Sequence, residues 1–380
     1  MAQKPTTQET SYPTEATLYM AFELSKAKWR IRCSKGGRKA SERTITPNDK
    51  QELEMMVLLA KKKFGLPEDA RVMSCCEAGR DGFWPHRFLV GLGIDNIVVD
   101  AASMKVSRRG RRAKNDKIDV RQLLNDLIRF HRGDDDVWRV VRVPLEQDED
   151  DRRPHRELGR LKKERTQHRN RILSLLATQG VHVMGNLNRF FEHLDSQKIW
   201  NGQALPKQLR AELEREHSRL ELVESQISSI KASQLEAVKN PTNAKQEKVA
   251  KLQTLNGIGL DSAWLLEMEL LGWRRFNNRR EVGGSVGLGA TPYNSGESER
   301  EQGISKAGNP RVRERLIELA WLWLRYQPKS NLTQWFNKRF STGGKRAKKI
   351  GIVAVARRLL IQMWHFVEHD IVPCGAIVKA

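Results

Sequence analysis

Apolar and polar positions alternate through TLYMAFELSKAKWRIRC, residues 17–33, which predicts two short strands around a turn at Ser25–Ala27. Helical spacing follows near 48–63. RVMSCCEAG, residues 71–79, is an apolar run that ends in turn residues and reads as a buried strand. FWPHRFLVGLG then reads as a helix and Ile94–Asp100 as a further strand. Strands alternating with helices indicate an α/β layer structure. An amphipathic helix is predicted from Asn115 to Phe130, with Val120, Leu123, Leu124 and Leu127 on one face.

Downstream the period changes. Residues 132–153 mix acidic and basic runs next to proline, so 136–153 reads as a linker that closes a first domain of residues 16–135. Beyond it Leu158, Leu161, Arg165, His168, Ile172 and Leu175 recur at spacings of three and four, as do Leu209, Leu213, Glu216, Leu220, Val223, Ile227 and Ile230. Two long helices with coiled-coil-like seams are predicted within 154–240, joined by an irregular stretch at 180–206. Arg165, His168 and Glu216 interrupt the seams, which leaves three pairing partners open: the same chain, a second copy, or RNA. The last region, 241–380, is glycine-punctuated and helical. Arg311–Tyr326 and Gly351–His369 carry apolar stripes with Trp321, Trp323, Leu360 and Trp364, and most of these tryptophans are expected in a core. The fold class expected is α/β plus α.

Composition sharpens this. With 380 residues, 39% hydrophobic and 30% charged, the chain suits a multi-domain soluble protein, and no uninterrupted apolar run approaches a bilayer-spanning length. Residues 1–15 are polar and lack a secretory apolar stretch, so they read as a disordered leader on a cytoplasmic, nucleoid-associated protein with no membrane partner. Cys33, Cys75, Cys76 and Cys374 form no CxxC pair and read as reduced and structural. The net charge of +22 changes the picture most. Neutralising phosphates releases counterions, so a polyanion, nucleic acid first, is the expected partner.

Candidate chemistry gathers in two places. Glu23 and Glu77 each end a predicted strand, while Asp116 and Asp119 stand three apart at a helix start and so share a face. Converging carboxylates supply the oxygen ligands that Mg²⁺ (or Mn²⁺) takes, although Asp-x-x-Asp at a helix start is also ordinary capping. Arg108, Arg109, Arg111, Arg112 and Lys114 lie directly before these acids, as a phosphate-backbone site or a solvated charge run. Ser295, in Tyr-Asn-Ser-Gly and followed by Lys306 and Arg311, reads either as a nucleophile toward a phosphodiester or as a turn serine. Gly257 and Gly259 precede a predicted helix, Leu260–Leu271, in a helix-hairpin-helix-like element. Such a turn lets backbone N–H groups approach a phosphate, or simply reverses the chain. Lys345, Arg346, Lys348 and Lys349 form a further basic cluster.

In order, AFELSKAKW, SCCEAGRDGFW, KNDKID, NGIGLDSAWLLEMEL and GLGATPYNSGESEREQGISKAGNPRVR resemble DEDD-type insertion-sequence transposases and Piv-like DNA invertases, over nearly the whole chain. The resemblance implies an RNase H-like (RuvC-like) N-terminal domain, a helical coiled-coil region and a mainly helical C-terminal transposase domain. It implies metal-binding acids at Glu23, Glu77, Asp116 and Asp119, and a nucleophile at Ser295 rather than Ser298 or Ser305. It also implies DNA as substrate and a guide (bridge) RNA as partner. Glu23 departs from the pattern, since the family usually has Asp there. Acids and serine are distant in sequence and meet through folding or between subunits, so a homodimer or tetramer is expected. Three alternatives stay open: a metal-dependent junction nuclease, an invertase without guide RNA, and a non-catalytic nucleic-acid-binding relative.

Overall fold

The computed structural model describes residues 16–79, 82–104, 116–295 and 298–379. The expected leader and the basic residues Arg108, Arg109, Arg111, Arg112 and Lys114 lie outside the described residues. Two compact units divide the chain, residues 1–144 and 145–380.

The first unit is built on one sheet. Strands β1 (Thr17–Leu24), β2 (Trp29–Ser34), β3 (Ala40–Ile45), β4 (Arg71–Glu77) and β5 (Asp95–Val99) lie in the order β3-β2-β1-β4-β5. β1 pairs antiparallel with β2 and parallel with β4, β2 is antiparallel to β3, and β4 is parallel to β5. A central strand is covered on both faces, which explains the unbroken apolar run at the start of β1. Leu18, Met20 and Phe22 enter one core with Leu53 and Met56 of α1 (Lys50–Phe64) and Leu89 of α2 (Trp84–Gly91). Tyr19, Ala21, Met73 and Cys75 enter the opposite core with Val120, Leu123, Leu124 and Leu127 of α3 (Asp116–His131), the stripe expected from the sequence. Helix α1 is bounded as its sequence dictates: the Asp49 side chain accepts from the Glu52 amide, and Gly65 closes the helix at φ 64°.

β3 was not expected. Its sequence, ASERTI, is mostly polar because it is the exposed edge of the sheet, where a strand has no apolar alternation to read. Within the segment expected as linker, Val137 and Trp138 are buried in the α3-side core and Val140 forms a bridge with Val99.

Among its described residues the second unit is helical apart from one hairpin. It starts with α4 (Glu146–Asp150) and two long helices, α5 (Arg153–Ala177) and α7 (Lys207–Lys239), with the short α6 (Leu187–Glu192) in their connection. Leu158 and Leu161 pack with Val223 and Ile227, and Ile172 and Leu176 with Leu213 and Leu220, so α5 and α7 run antiparallel. The interrupted seam is thus paired within the chain. At its middle the Glu216 carboxylate, 3% exposed, lies 2.7 Å from His168 Nδ1 and accepts from Arg171 at 3.0 Å. Burial works to raise its pKa, but the His168 and Arg171 bonds outweigh burial and hold it below its ordinary value.

A second core gathers α8 (Ala244–Thr254), α9 (Leu260–Leu266), a π-helical turn at Glu267–Leu271, α10 (Arg279–Gly284), α11 (Pro310–Tyr326), α12 (Asn331–Phe340) and α13 (Lys345–His369). By length and composition α13 is apolar enough to cross a membrane, yet Ile352, Val355, Leu359, Leu360, Met363 and Trp364 are buried in this core. Gly351 makes its packing possible, since a Cβ there would meet Phe340 Cγ at 2.6 Å. Trp323 is buried with Trp364, whereas Trp321 is exposed. Strands β6 (Ala290–Ser295) and β7 (Ser298–Ile304) form an antiparallel hairpin whose polar, proline-containing sequence gave no strand period.

Candidate active site

The parallel register of β1 and β4 aligns Phe22 with Cys76, so Glu23 and Glu77 are the next residues on two adjacent strands. Equal parity puts both on the α3 side of the sheet, following Tyr19 and Ala21 in one strand and Met73 and Cys75 in the other. Both side chains are half-buried and line one cleft of about 330 Å³, with Ser25, Lys26 and Gly79 from the loops beyond the strands. The carboxyl ends of parallel strands are where open α/β sheets place ligands.

The direction of α3 follows from two contacts. The Tyr19 hydroxyl lies 2.6 Å from His131 Nδ1 at the last residue of the helix, while the Cys75 thiol faces the Leu123 carbonyl. Moving up the strands toward Glu23 and Glu77 therefore means moving back toward the first turn of α3, which holds Asp116 and Asp119. The backbone thus brings all four predicted acids to one end of the sheet. Among the described residues no group of three or more His, Cys, Asp or Glu side chains converges as a metal site. The donor chemistry of the cleft, two adjacent carboxylates, still fits a hard cation.

Ser295 belongs to the other unit. It is the last residue of β6, opposite Ser298, at the far end of the hairpin from its stem. The stem is held tightly. Ser305 donates to the Gly289 carbonyl at 2.9 Å, Lys306 donates to Gly287 at 3.1 Å, and Arg313 donates to the carbonyls of Val286 and Lys306 at 3.0 Å. Gly308, at φ +92°, would bring a Cβ within 2.0 Å of the Ser285 carbonyl oxygen, so no side chain fits there.

Residues 249–334 match the model described as "Transposase IS116/IS110/IS902 family". A Sinorhizobium fredii protein named "Putative transposase y4rJ" is 40% identical over 375 residues, covering 95% of this chain and 94% of that protein. The chain belongs to the IS116/IS110/IS902 transposase family. A second Sinorhizobium fredii relative, y4qE, is 28% identical over 68% of the chain and 60% of its own length. The "Transposase for insertion sequence element IS1328" of Yersinia enterocolitica is 29% identical over 32% of this chain and 36% of its own.

The family segment of this transposase runs from α8 into α12 and includes the hairpin and the glycine turn before α9. Gly257 has φ +92° and would place a Cβ 3.2 Å from Tyr326 Cβ, so close packing by itself calls for glycine there; Gly259 is exposed. Asp261, in the first turn of α9, is ion-paired with Lys162 of α5. Lys306 and Arg311 are both exposed, on either side of the Gly308 contact.

Sequence reasoning missed a buried hub behind the hairpin. Glu269, 2% exposed in the π-helical turn, accepts from Arg156 at 2.6 and 2.7 Å and from Asn309 at 3.1 Å. Burial would raise its pKa, but Arg156 keeps it ionised and below its ordinary value. Asn309 also caps α11, so the hub ties the base of α5 to the exit of the hairpin. The only signal was an acid inside an apolar helix, LEMEL.

Proposed function

We propose that this transposase cuts and rejoins DNA strands, with Glu23, Glu77, Asp116 and Asp119 as the phosphate-activating acids and Ser295 as the nucleophile. One observation carries the reading: two adjacent strand ends present Glu23 and Glu77 to one cleft, at the end of the sheet where α3 starts. The strand order, with three antiparallel strands continued by two parallel ones and helices on both faces, supports an RNase H-like domain. A divalent cation such as Mg²⁺ or Mn²⁺, held by these carboxylates, would polarise phosphate oxygens and neutralise charge developing at phosphorus.

The chain's own contribution is positioning and proton movement. The Ser295 hydroxyl attacks a backbone phosphorus; a bond forms between Oγ and phosphorus, one phosphorus–oxygen bond of the strand breaks, and the hydroxyl proton leaves with the departing strand oxygen. A hydroxyl of another strand then attacks the phosphoserine: its oxygen bonds to phosphorus, the Oγ–phosphorus bond breaks, and its proton passes to the serine oxygen, which restores Ser295. The number of phosphoester bonds is unchanged, so no external energy source enters. The guide RNA and a dimer or tetramer belong to the same reading; the charge of +22 is consistent with binding more than one nucleic-acid strand.

Incubating the purified chain with Mg²⁺, its element-end DNA and the RNA encoded beside its gene gives a covalent protein–DNA adduct that resists denaturation. Ser295→Ala abolishes that adduct. If the alanine variant forms the adduct as the parent does, the serine assignment fails, and nicking without any adduct in the parent favours a plain metal-dependent nuclease.

A further inference from the structure

The second unit holds a cavity that the acids and Ser295 leave unused. It lies between α10, α12 and α13, measures about 670 Å³, and is lined by Arg279, Arg280, Trp335, Arg357, Arg358 and Gln362 among others. Four guanidiniums thus share one groove without a carboxylate on its walls, and among the described residues none of the four forms an ion pair. Some arginines of this unit are instead paired with acids, as Arg156 is with Glu269, Arg171 with Glu216 and Arg210 with Glu214; what marks the groove is four arginines together in one lining.

Helix electrostatics does not account for the first two of these positions. Arg279 and Arg280 open α10, where a cation meets the positive end of the helix and is disfavoured. Arg357 and Arg358 interrupt α13, whose neighbouring residues Ala356, Leu359 and Leu360 are fully buried. Room is also reserved for them. A Cβ on Gly283 of α10 would lie 2.7 Å from Arg357 Nε, so glycine there leaves space for the guanidinium. Arg358 lies over the half-buried Trp335 ring at 3.8 Å, a stacked platform on the same wall. The Gln362 Oε1, buried and without a hydrogen-bond partner, adds an acceptor for a base or sugar group.

We propose that this groove binds a single-stranded segment of DNA. Its arginines take successive phosphates, and the Trp335–Arg358 platform stacks an unpaired base. A space of this size buries a molecule of about nucleotide scale or larger rather than one phosphate ion. Stacking needs a base free of its complement, which selects a strand over a duplex. The proposal rests on the nucleic-acid part of the proposed function and on none of its catalytic residues.

The test is equilibrium binding by the full chain in EDTA, followed by fluorescence anisotropy. Three labelled 20-mers of one sequence serve as probes: single-stranded DNA, duplex DNA and RNA. Arg279, Arg280 and Arg358 are exposed, so the triple variant R279A/R280A/R358A is expected to fold as the parent does. Its slope of log affinity against log salt for single-stranded DNA falls by about 2, at ~0.7 for each phosphate that is no longer neutralised. Trp335→Leu weakens single-stranded binding by about tenfold, the effect of removing one base stack, with little change on duplex. Should Trp335→Leu misfold, the arginine variant decides alone. A parent-like slope in the triple variant, equal losses on strand and duplex, or a loss confined to RNA would each overturn the proposal. Because EDTA removes any metal and no covalent step is read, failure here leaves the Ser295 reading intact, and an inactive Ser295→Ala leaves the groove intact.

Discussion

The transposase presents its two candidate reactive ends in opposite ways. Glu23 and Glu77 stand on inner strands of a five-stranded sheet packed on both faces, so their backbones are fixed by ladders and two cores. Ser295 stands at the end of a two-stranded hairpin whose stem is fixed by hydrogen bonds. A lone hairpin is marginal in water, so its direction depends on the stem contacts rather than on its own pairing. Metal-binding acids tolerate little displacement, whereas a nucleophile that passes a strand from one partner to another must be carried on something that can be redirected. The difference in support matches the different tasks proposed for the two ends.

The comparison can be broken most sharply from the rigid side. Glu77→Gln keeps the shape and removes the charge, and DNA nicking is expected to fall on the order of 10²–10³-fold with the melting temperature nearly unchanged, measured on supercoiled plasmid. A variant as active as the parent would remove Glu77 from the site. On the hairpin side, Gly308→Ala forces a Cβ against the Ser285 carbonyl. A cost of about 2–4 kcal/mol in urea unfolding is expected, with adduct formation abolished before nicking is.

A subtler effect lies at the start of the π-helical turn. Burial pushes the Glu267 carboxyl up to about 8 from an ordinary value near 4.5, and neither of its oxygens has a hydrogen-bond partner. The folded state therefore holds a proton that the unfolded state releases. The stability this gives is complete below about 4.5 and is lost as pH rises to about 8. Glu267→Gln cannot ionise. Between pH 5 and pH 8 its stability relative to the parent is expected to rise by more than about 1.4 kcal/mol, the value of one pKa unit, in denaturant titrations at both pH values. The smallest effect belongs to Gly257→Ala: about 1–2 kcal/mol of stability from the strained φ, with DNA affinity unchanged at fixed salt. Affinity that falls without loss of stability would instead make this turn a phosphate contact.

What was legible in the sequence follows from how each element is buried. β1, β2, β4 and β5 carried their signal because each has at least one covered face, and the α3 stripe appeared as written. The ends of β1 and β4 pointed to Glu23 and Glu77 because polar residues succeed apolar ones there. β3 and the hairpin stayed hidden, since an exposed edge and a two-stranded ribbon lack a hydrophobic period. Helix α13 begins at Lys345, six residues before the predicted start at Gly351, because its first turn is basic and reads as a solvated loop. The arginine groove was invisible for another reason: its residues come from three helices, and Arg-Arg pairs are common in a chain of this charge.

The bond cluster at Glu216 turns the α5–α7 pair into a ruler with one zero mark. Sliding either helix by a turn would strand a buried carboxylate away from His168 and Arg171, at a cost of about 3–5 kcal/mol. Coiled-coil seams of leucine alone permit such slips, and this one does not. The outer end of the arm, where Met184 is 95% and Trp200 78% exposed, is thus kept at a set reach along the 25 residues of α5. At ~1.5 Å per residue that reach is about 37 Å. Matched insertions in both helices beyond the mark would lengthen the arm without resetting it, so reach can vary among related chains while the alignment of the helices stays the same.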